Sequence, residues 1–191
     1  MSPEGLIVAI AAPSGAGKTS VCRGLLNVGE NFVFSVSFTT RTKRTTEING
    51  DAYFFISKEE FEKKRAENLF IEDEFVHGNW YGTEKAQIDK ALRKNKIILL
   101  DIDVKGALAV KKIYGDSAFL VYIDVPSSAI LRERLKTRGT ESEEEIQKRM
   151  TRVPEETEAK KHFDMVIVNN SLEETIQMVF KQIKEERNIY V

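Results

Sequence analysis

The residues with the clearest chemistry lie in the stretch 6–20, LIVAIAAPSGAGKTS. An apolar run leads into a Gly-containing turn, which is followed by Lys18, Thr19 and a helix-like segment from Val21. Strand, loop and helix start in this order bind phosphate, because loop N–H groups and the helix dipole favour an anion. Lys18 can reach β- and γ-phosphates, and the Thr19 hydroxyl can hold Mg²⁺. Ala12 replaces the usual first Gly of this pattern, but the order of elements favours a phosphate site over a chance turn before a lysine.

Two acids lie beside a second apolar run. Asp101 closes residues 97–100, IILL, which are typical of a strand buried on both faces. The carboxyl end of such a strand is where ligands of parallel sheets bind, and where phosphate-loop proteins carry an acid that organises Mg²⁺. Asp103 points to the same side if the strand continues. Magnesium organisation and recognition of a ligand donor both fit the pair, and Asp101 alone also fits a simple helix cap.

Two basic clusters are candidates for phosphate contacts. Arg41 and Arg44 flank Lys43, and the planar guanidinium fork suits bidentate phosphate binding, although a solvated basic loop fits equally well. The second cluster comprises Arg132, Arg134, Lys136, Arg138 and, further on, Arg149. Arginines on a closing segment stabilise the charge that phosphoryl transfer spreads over the transferred group. Because Arg134 and Arg138 repel one another without an anion, a purely structural role is disfavoured.

Composition bounds the class of protein. The 191 residues fit one domain with a possible subdomain, and 41% hydrophobic with 31% charged residues indicate a globular chain. A net charge of −1 argues against nucleic-acid binding through a global positive field. Cys22 is the single cysteine, and no apolar run approaches the ~20 residues of a membrane span. We expect a cytoplasmic protein without nucleic-acid or membrane partners.

The elements that must position these residues alternate along the chain. Apolar strands separated by helices predict a parallel sheet covered on both faces. Residues 32–82 differ, because short alternating strands with a single helix indicate a half-exposed insert beside the sheet. The strands are expected at 6–11, 32–38, 52–56, 70–76, 97–101, 118–125 and 165–168. The helices are expected from 21, at 57–68, 83–94, 105–113 and 127–136, and from capping serines at 142 and 171.

Several motifs resemble those of bacterial guanylate kinases. They occur in family order over roughly residues 6–190 and are together far more specific than any one of them. They lie at 12–19 (APSGAGKT), 35–44 (SVSFTTRTKR), 53–55 (YFF), 78–83 (GNWYGT), 100–106 (LDIDVKG), 138–140 (RGT) and 148–150 (KRM). Departures from the family pattern are Lys43, Thr46, Trp80 and Lys105, and Lys105 could alter the charge balance of the two acids.

The resemblance implies an activity and an architecture. The enzyme would transfer the γ-phosphoryl group of ATP to GMP, giving GDP and ADP in purine nucleotide metabolism, with Mg²⁺ accompanying ATP. dGMP is a second candidate acceptor, and a homodimer is left open. The fold would be α/β, with a P-loop core of five parallel strands and helices on both faces. The core would span 1–31 and 84–191, with a helical lid at about 126–160 and a small mixed α/β GMP-binding insert at 32–83.

The resemblance also assigns site residues. ATP would bind Ala12, Pro13, Ser14, Gly15, Ala16, Gly17, Lys18, Thr19 and Ser20. GMP would bind Ser37, Arg41, Arg44, Tyr53, Glu72, Tyr81, Thr83 and Asp103, of which Ser37, Glu72, Thr83 and Asp103 would contact guanine. The catalytic residues would be Lys18, Arg41, Arg134, Arg138 and Arg149. The metal would be held by Thr19 and Asp101, directly or through water.

Two alternatives remain at this stage. A non-catalytic guanylate-kinase-like module of scaffold proteins resembles the insert but tends to lose the phosphate loop, whereas Lys18 and Thr19 are present here. Another nucleoside monophosphate kinase would share the loop and differ in the base that it binds.

Overall fold

The computed structural model describes residues 5–13, 15–45, 47–51, 53–76, 78–138, 142–151 and 153–187. The strands are β1 (Leu6–Ala11), β2 (Phe32–Phe34), β3 (Phe38–Thr39), β4 (Phe54–Phe55), β5 (Phe70–Val76), β6 (Asn79–Glu84), β7 (Ile97–Asp101), β8 (Ala118–Asp124) and β9 (Met165–Val168). The α-helices are α1 (Lys18–Val28), α2 (Lys58–Ala66), α3 (Lys85–Arg93), α4 (Val104–Tyr114), α5 (Ser128–Arg138), α6 (Glu143–Met150), α7 (Val153–Glu158) and α8 (Leu172–Glu186). Short 3₁₀ turns occupy Gly115–Ser117 and Ala159–His162.

The larger sheet has five parallel strands in the order β2-β7-β1-β8-β9. Every residue of the central strand β1 is buried, and alternate residues point to opposite faces. Val8 and Ile10 pack with Val21 of α1 and Val179 of α8. On the other face, β1 packs against α3 and α4. The expected α/β core, a parallel sheet with helices on both faces, is confirmed.

The smaller sheet has four strands in the order β4-β3-β6-β5. β5 and β6 form an antiparallel hairpin, and β3 pairs parallel with β4. Its own core is aromatic: Phe38, Phe61 of α2 and Phe70 are buried together, and Trp80 packs against them. This stacked cluster gives residues 38–84 a hydrophobic core separate from the two faces of the larger sheet.

The expected strand at 32–38 is wrong. It is two strands in two sheets, because β2 pairs with β7 whereas β3 pairs with β6. The alternating pattern continues through 35–37, where the chain crosses from one sheet to the other, so periodicity alone does not reveal the break. Because β2 belongs to the larger sheet, the insert that we propose starts at residue 35 instead of 32.

The helix expected over 83–94 begins later than its pattern indicates. Residues 79–84 form β6, which pairs with β5 across a tight turn, and α3 starts at Lys85. Gly78 in that turn has φ 80°, a left-handed conformation that glycine adopts without strain. The predicted capping serines are confirmed, since Ser57, Ser142 and Ser171 accept hydrogen bonds at the starts of α2, α6 and α8. α5 continues through Arg138, past its expected end near 136.

Candidate active site

The loop after β1 has the backbone geometry of an anion site. Gly15 and Gly17 have φ values of 94° and 102°, which side chains other than glycine rarely tolerate. A Cβ atom on Gly17 would also lie 2.7 Å from Asn169 Nδ2. α1 starts directly at Lys18 with no side-chain cap, so the N–H groups of its first turn are available to a ligand. Ser14 lies outside the described residues.

Lys18, Thr19 and Asp101 meet at the carboxyl end of the larger sheet. Lys18 Nζ donates to the Ile102 carbonyl oxygen at 2.8 Å and lies 3.3 Å from Asp101 Oδ1. Thr19 Oγ1 donates to Asp101 Oδ2 at 2.5 Å. β1 and β7 are neighbours, and this pairing brings the loop and the acid together although 82 residues separate Thr19 from Asp101.

The oxygen donors at this point fit Mg²⁺. Thr19 supplies a hydroxyl and Asp101 a carboxylate, and magnesium prefers such ligands completed by substrate phosphates and water. Among the described residues, no group of three or more histidine, cysteine, aspartate and glutamate side chains could hold a metal ion by itself. Thr19 and Asp101 therefore offer two oxygen donors to a Mg²⁺ ion.

A buried hydrogen-bond network holds the backbone of the loop. It is not among the features predicted from the sequence. Asn169 is 5% exposed, and its Nδ2 donates to the Ala16 carbonyl oxygen at 2.8 Å. Thr175 Oγ1 donates to Asn169 Oδ1 at 3.1 Å and so fixes the orientation of the Asn169 side-chain amide. Asn169 directly follows β9, and a polar residue at the carboxyl end of an apolar strand was the available signal.

The second basic cluster divides between two partners. Arg134 Nη2 donates to the Asn169 carbonyl oxygen at 3.0 Å, which places this guanidinium against the loop. Arg132 and Lys136 instead pair with Glu143 of α6, Lys136 at 3.3 Å. Arg149 lies half-buried on α6, and the side chain of Arg138 lies outside the described part of the chain. The structure thus brings Arg134 into contact with the loop, where its Nη1 lies 3.5 Å from the Ala16 carbonyl oxygen.

The first basic cluster is organised by an acid that the sequence reasoning did not single out. Glu47 accepts two hydrogen bonds from Arg41, at 2.7 and 3.0 Å, and one from the Arg44 backbone N–H at 2.8 Å. The Arg41 hydrogen bonds lower the pKa of Glu47 from 4.5 to about 2. Arg44 itself has an exposed side chain. Glu47 therefore holds the guanidinium of Arg41 in one orientation.

Two tyrosines lie beside Arg41. The Cζ atom of Arg41 is 5.6 Å from the centre of the Tyr53 ring, and the Tyr53 and Tyr81 rings meet edge to face at 5.7 Å. Burial raises the pKa of Tyr53 above its ordinary value of 10.0, so its hydroxyl keeps its proton at neutral pH. One guanidinium and two phenols thus form a corner that can donate to a phosphate.

A second group of polar side chains consists of Ser37, Glu72 and Thr83. Thr83 Oγ1 donates to Glu72 Oε1 at 2.5 Å, and Ser37 Oγ lies 3.3 Å from Thr83 Oγ1. Since the Thr83 proton is directed at Glu72, the Ser37 hydroxyl donates to Thr83. Burial raises the pKa of Glu72 from 4.5 to about 7; the Thr83 hydrogen bond opposes this rise, and the charge of Asp103 adds to it.

The strand does not continue to Asp103, so the condition under which Asp103 would point to the same side as Asp101 is not met. β7 ends at Asp101, and Asp103 caps α4 by accepting a hydrogen bond from the Gly106 N–H at 2.7 Å. α4 nevertheless packs closely on β5, since a Cβ on Gly106 would lie 3.0 Å from Glu72 Cγ. Asp103 therefore lies near Glu72. The Lys105 side chain is 82% exposed, its Nζ lies 3.9 Å from Glu155 Oε1, and it points to solvent.

Comparison with known proteins identifies the family. The guanylate kinase family model matches residues 5–186. The chain belongs to the guanylate kinase family. It is 43% identical to the guanylate kinase of Thermotoga maritima over 96% of this chain and 88% of that protein, and 44% identical to that of Chlorobium chlorochromatii over 90% of each. The crystal structure of guanylate kinase from Anaplasma phagocytophilum superposes with a TM-score of 0.78 at 29% identity, covering 98% of this chain and 88% of that one.

Membership of the guanylate kinase family confirms the resemblance drawn from the motifs. The protein is an enzyme of the phosphotransferase class, and the non-catalytic scaffold module is not favoured. Within the described part of the chain, no helix combines the length and the apolar character that crossing a membrane requires.

Proposed function

We propose that this guanylate kinase transfers the γ-phosphoryl group of ATP to GMP, with Mg²⁺ accompanying ATP, and yields GDP and ADP. The observation that supports this reaction is the combination of a phosphate loop with a separate corner suited to a second, monophosphate group. The insert, taken as residues 35–83, would bind GMP, and the helices at about 126–160 would act as a lid.

At the ATP end, residues 12–20 would bind the phosphates through the backbone N–H groups that all of them except Pro13 carry, and Lys18 would exchange its present acceptors for phosphate oxygens. Thr19 and Asp101 would hold Mg²⁺, directly or through water, and the ion would neutralise phosphate charge as it develops. Arg134 already contacts the loop at the Ala16 carbonyl oxygen. Arg138 and Arg149 would join it when the lid closes over bound nucleotides.

At the GMP end, Arg41, Arg44, Tyr53 and Tyr81 would bind the phosphate. The guanine edge offers N1–H and a 2-amino group as donors, which the Glu72 carboxylate can accept together. The hydroxyls of Ser37 and Thr83 can turn to donate to O6 or N7. Ser37, Glu72 and Thr83 together are called the guanine corner. The carboxylate of Asp103 lies near Glu72 of this corner.

The chemistry needs no general base. The attacking GMP phosphate is already ionised, so rate enhancement comes from aligning two phosphates and from stabilising the charge of the transition state. Lys18, Arg41 and the lid arginines approach that charge from two sides. Glu47 contributes indirectly, because it fixes the guanidinium of Arg41 before GMP binds.

A coupled assay with ATP and Mg²⁺ tests the proposal, with GMP, dGMP, AMP, UMP and dTMP as acceptors. We expect turnover with GMP, weaker turnover with AMP, and loss of turnover when Mg²⁺ is chelated. The absence of turnover with every acceptor would favour a binding module. A preference for AMP would contradict the assignment of Glu72, Ser37 and Thr83 to guanine.

A further inference from the structure

The crossing between the two sheets is held by one side chain that the proposed mechanism does not use. Gln87, on the first turns of α3, faces the backbone of Val36 in the crossing segment. Its Oε1 accepts a hydrogen bond from the Val36 N–H at 3.1 Å, and its Nε2 donates to the Val36 carbonyl oxygen at 2.9 Å. A single carboxamide thus satisfies both polar groups of one backbone residue, as a neighbouring strand would.

The two hydrogen bonds between Gln87 and Val36, which we call the clamp, lie close to the guanine corner both in sequence and in space. Val36 directly precedes Ser37, whose hydroxyl lies 3.3 Å from Thr83 Oγ1. Gln87 is four residues beyond Thr83, on the helix that continues from β6. The segment before the clamp is anchored to the larger sheet, where the Ser35 N–H donates to the Leu99 carbonyl oxygen at 2.9 Å. Gln87 therefore fixes the peptide that determines where the Ser37 side chain points.

An open groove lies beside the residues that flank this segment. Its volume is about 390 Å³, and Gln87 is one of its lining residues. The others include Val33 and Phe34 before the crossing and Phe38 after it. Because the groove leaves space beside the flanking residues, we expect Val36 and Ser37 to shift when the two hydrogen bonds of Gln87 are removed.

We propose that Gln87 is a positioning residue for the GMP base: by clamping Val36 it keeps the Ser37 hydroxyl in line with Thr83 and Glu72. The inference rests on the proposed assignment of Ser37 to guanine. The clamp requires a side chain of the length of glutamine that ends in one hydrogen-bond donor and one acceptor. Glutamate offers only acceptors when ionised, and methionine matches the length but has no donor and only a weakly accepting sulfur.

Steady-state kinetics of Gln87→Met and Gln87→Glu in the full-length enzyme test the proposal. Both should raise the KM for GMP about five- to thirtyfold, since misplacing a hydrogen-bonding group weakens binding on this scale, and leave the KM for ATP within about twofold. Gln177→Met, the same change on the exposed face of α8, is the matched control and should leave both constants unchanged. If Gln87→Met fails to fold, Gln87→Glu carries the test.

A double-mutant cycle with Ser37→Ala separates positioning from general stability. Without the hydroxyl there is nothing to align, so Gln87→Met should change the KM for GMP less than about twofold in that background. An equal rise of the KM for GMP in both backgrounds, or no rise in the wild-type background, would overturn the positioning role of Gln87. An unchanged KM for GMP in Ser37→Ala alone would overturn the assignment of Ser37 to guanine and, with it, this inference.

Discussion

Replacing Glu72 with glutamine removes one ionisable group from the guanine corner and keeps its size. Burial, the largest cause, raises the pKa of Glu72 from 4.5 to about 7 in the folded protein. The folded state therefore binds the proton more tightly than the unfolded chain. Below pH about 4.5 the carboxyl is protonated in both states, and as pH rises from 4.5 through 7 the folded protein loses stability on account of this group.

The size of this loss follows from the pKa difference. A rise from 4.5 to about 7 corresponds to about 3 kcal/mol of unfolding free energy, reached above pH 7. Glutamine retains an oxygen that can accept the Thr83 hydrogen bond and carries no charge to bury. We expect Glu72→Gln to be more stable than the wild type by about 2–3 kcal/mol at pH 8 and nearly equal to it at pH 4.5.

Urea unfolding of the nucleotide-free enzyme at pH 4.5 and pH 8 measures both values. Glu173→Gln, on the exposed first turn of α8, is the matched control and should show the same stability relative to the wild type at both pH values. A Glu72→Gln variant that is no more stable than the wild type at pH 8 would refute the reasoning. A gain of the same size at pH 4.5 would do so as well.

The same substitution should impair the enzyme that it stabilises. The glutamine side chain presents an N–H₂ donor where guanine needs an acceptor, so the KM for GMP should rise by a factor equivalent to about 1–3 kcal/mol. Because the ionised form binds guanine, the wild-type KM for GMP should fall as pH rises from 6 to 8, and the variant should lack this dependence. An unchanged KM for GMP would remove Glu72 from the base site.

Three further predictions concern the phosphates and the lid. Lys18→Ala should lower kcat by about two orders of magnitude or more with an unchanged unfolding midpoint, and near-normal kcat would exclude Lys18 from the site. Glu47→Ala should raise the KM for GMP several-fold by releasing Arg41. Because the pKa of Glu47 is lowered to about 2, Glu47 should stabilise the folded protein at pH 7, and this contribution should vanish as pH falls through 2. Small-angle scattering should show a smaller radius of gyration with a bisubstrate inhibitor, and an identical radius would contradict lid closure.

The features that the sequence revealed are those with a local signal. A long apolar strand, two glycines and Lys18 mark the phosphate loop without reference to the rest of the chain. Asp101 is visible because it ends an apolar run, and the capping serines are visible because the acid three residues later completes their pattern. For these elements, local preference and final structure agree.

The features that the sequence concealed depend on contacts between distant segments. The crossing at 35–37 continues the alternation of its neighbours, and only pairing with β7 and β6 shows that two sheets are involved. β6 is stabilised by its hairpin partner, which overrides the helical pattern from Thr83. The position of Asn169 at the end of β9 marks it as a candidate, but its contact with Ala16, 153 positions away in the sequence, depends on how distant strands pair.

A crystal structure with GMP and a non-hydrolysable ATP analogue tests the central claim most directly. The account predicts guanine against Glu72, Ser37 and Thr83, its phosphate on Arg41, and the triphosphate in the loop at Lys18, with the two phosphate chains facing each other. Guanine bound elsewhere, or phosphate chains that point away from one another, would contradict it.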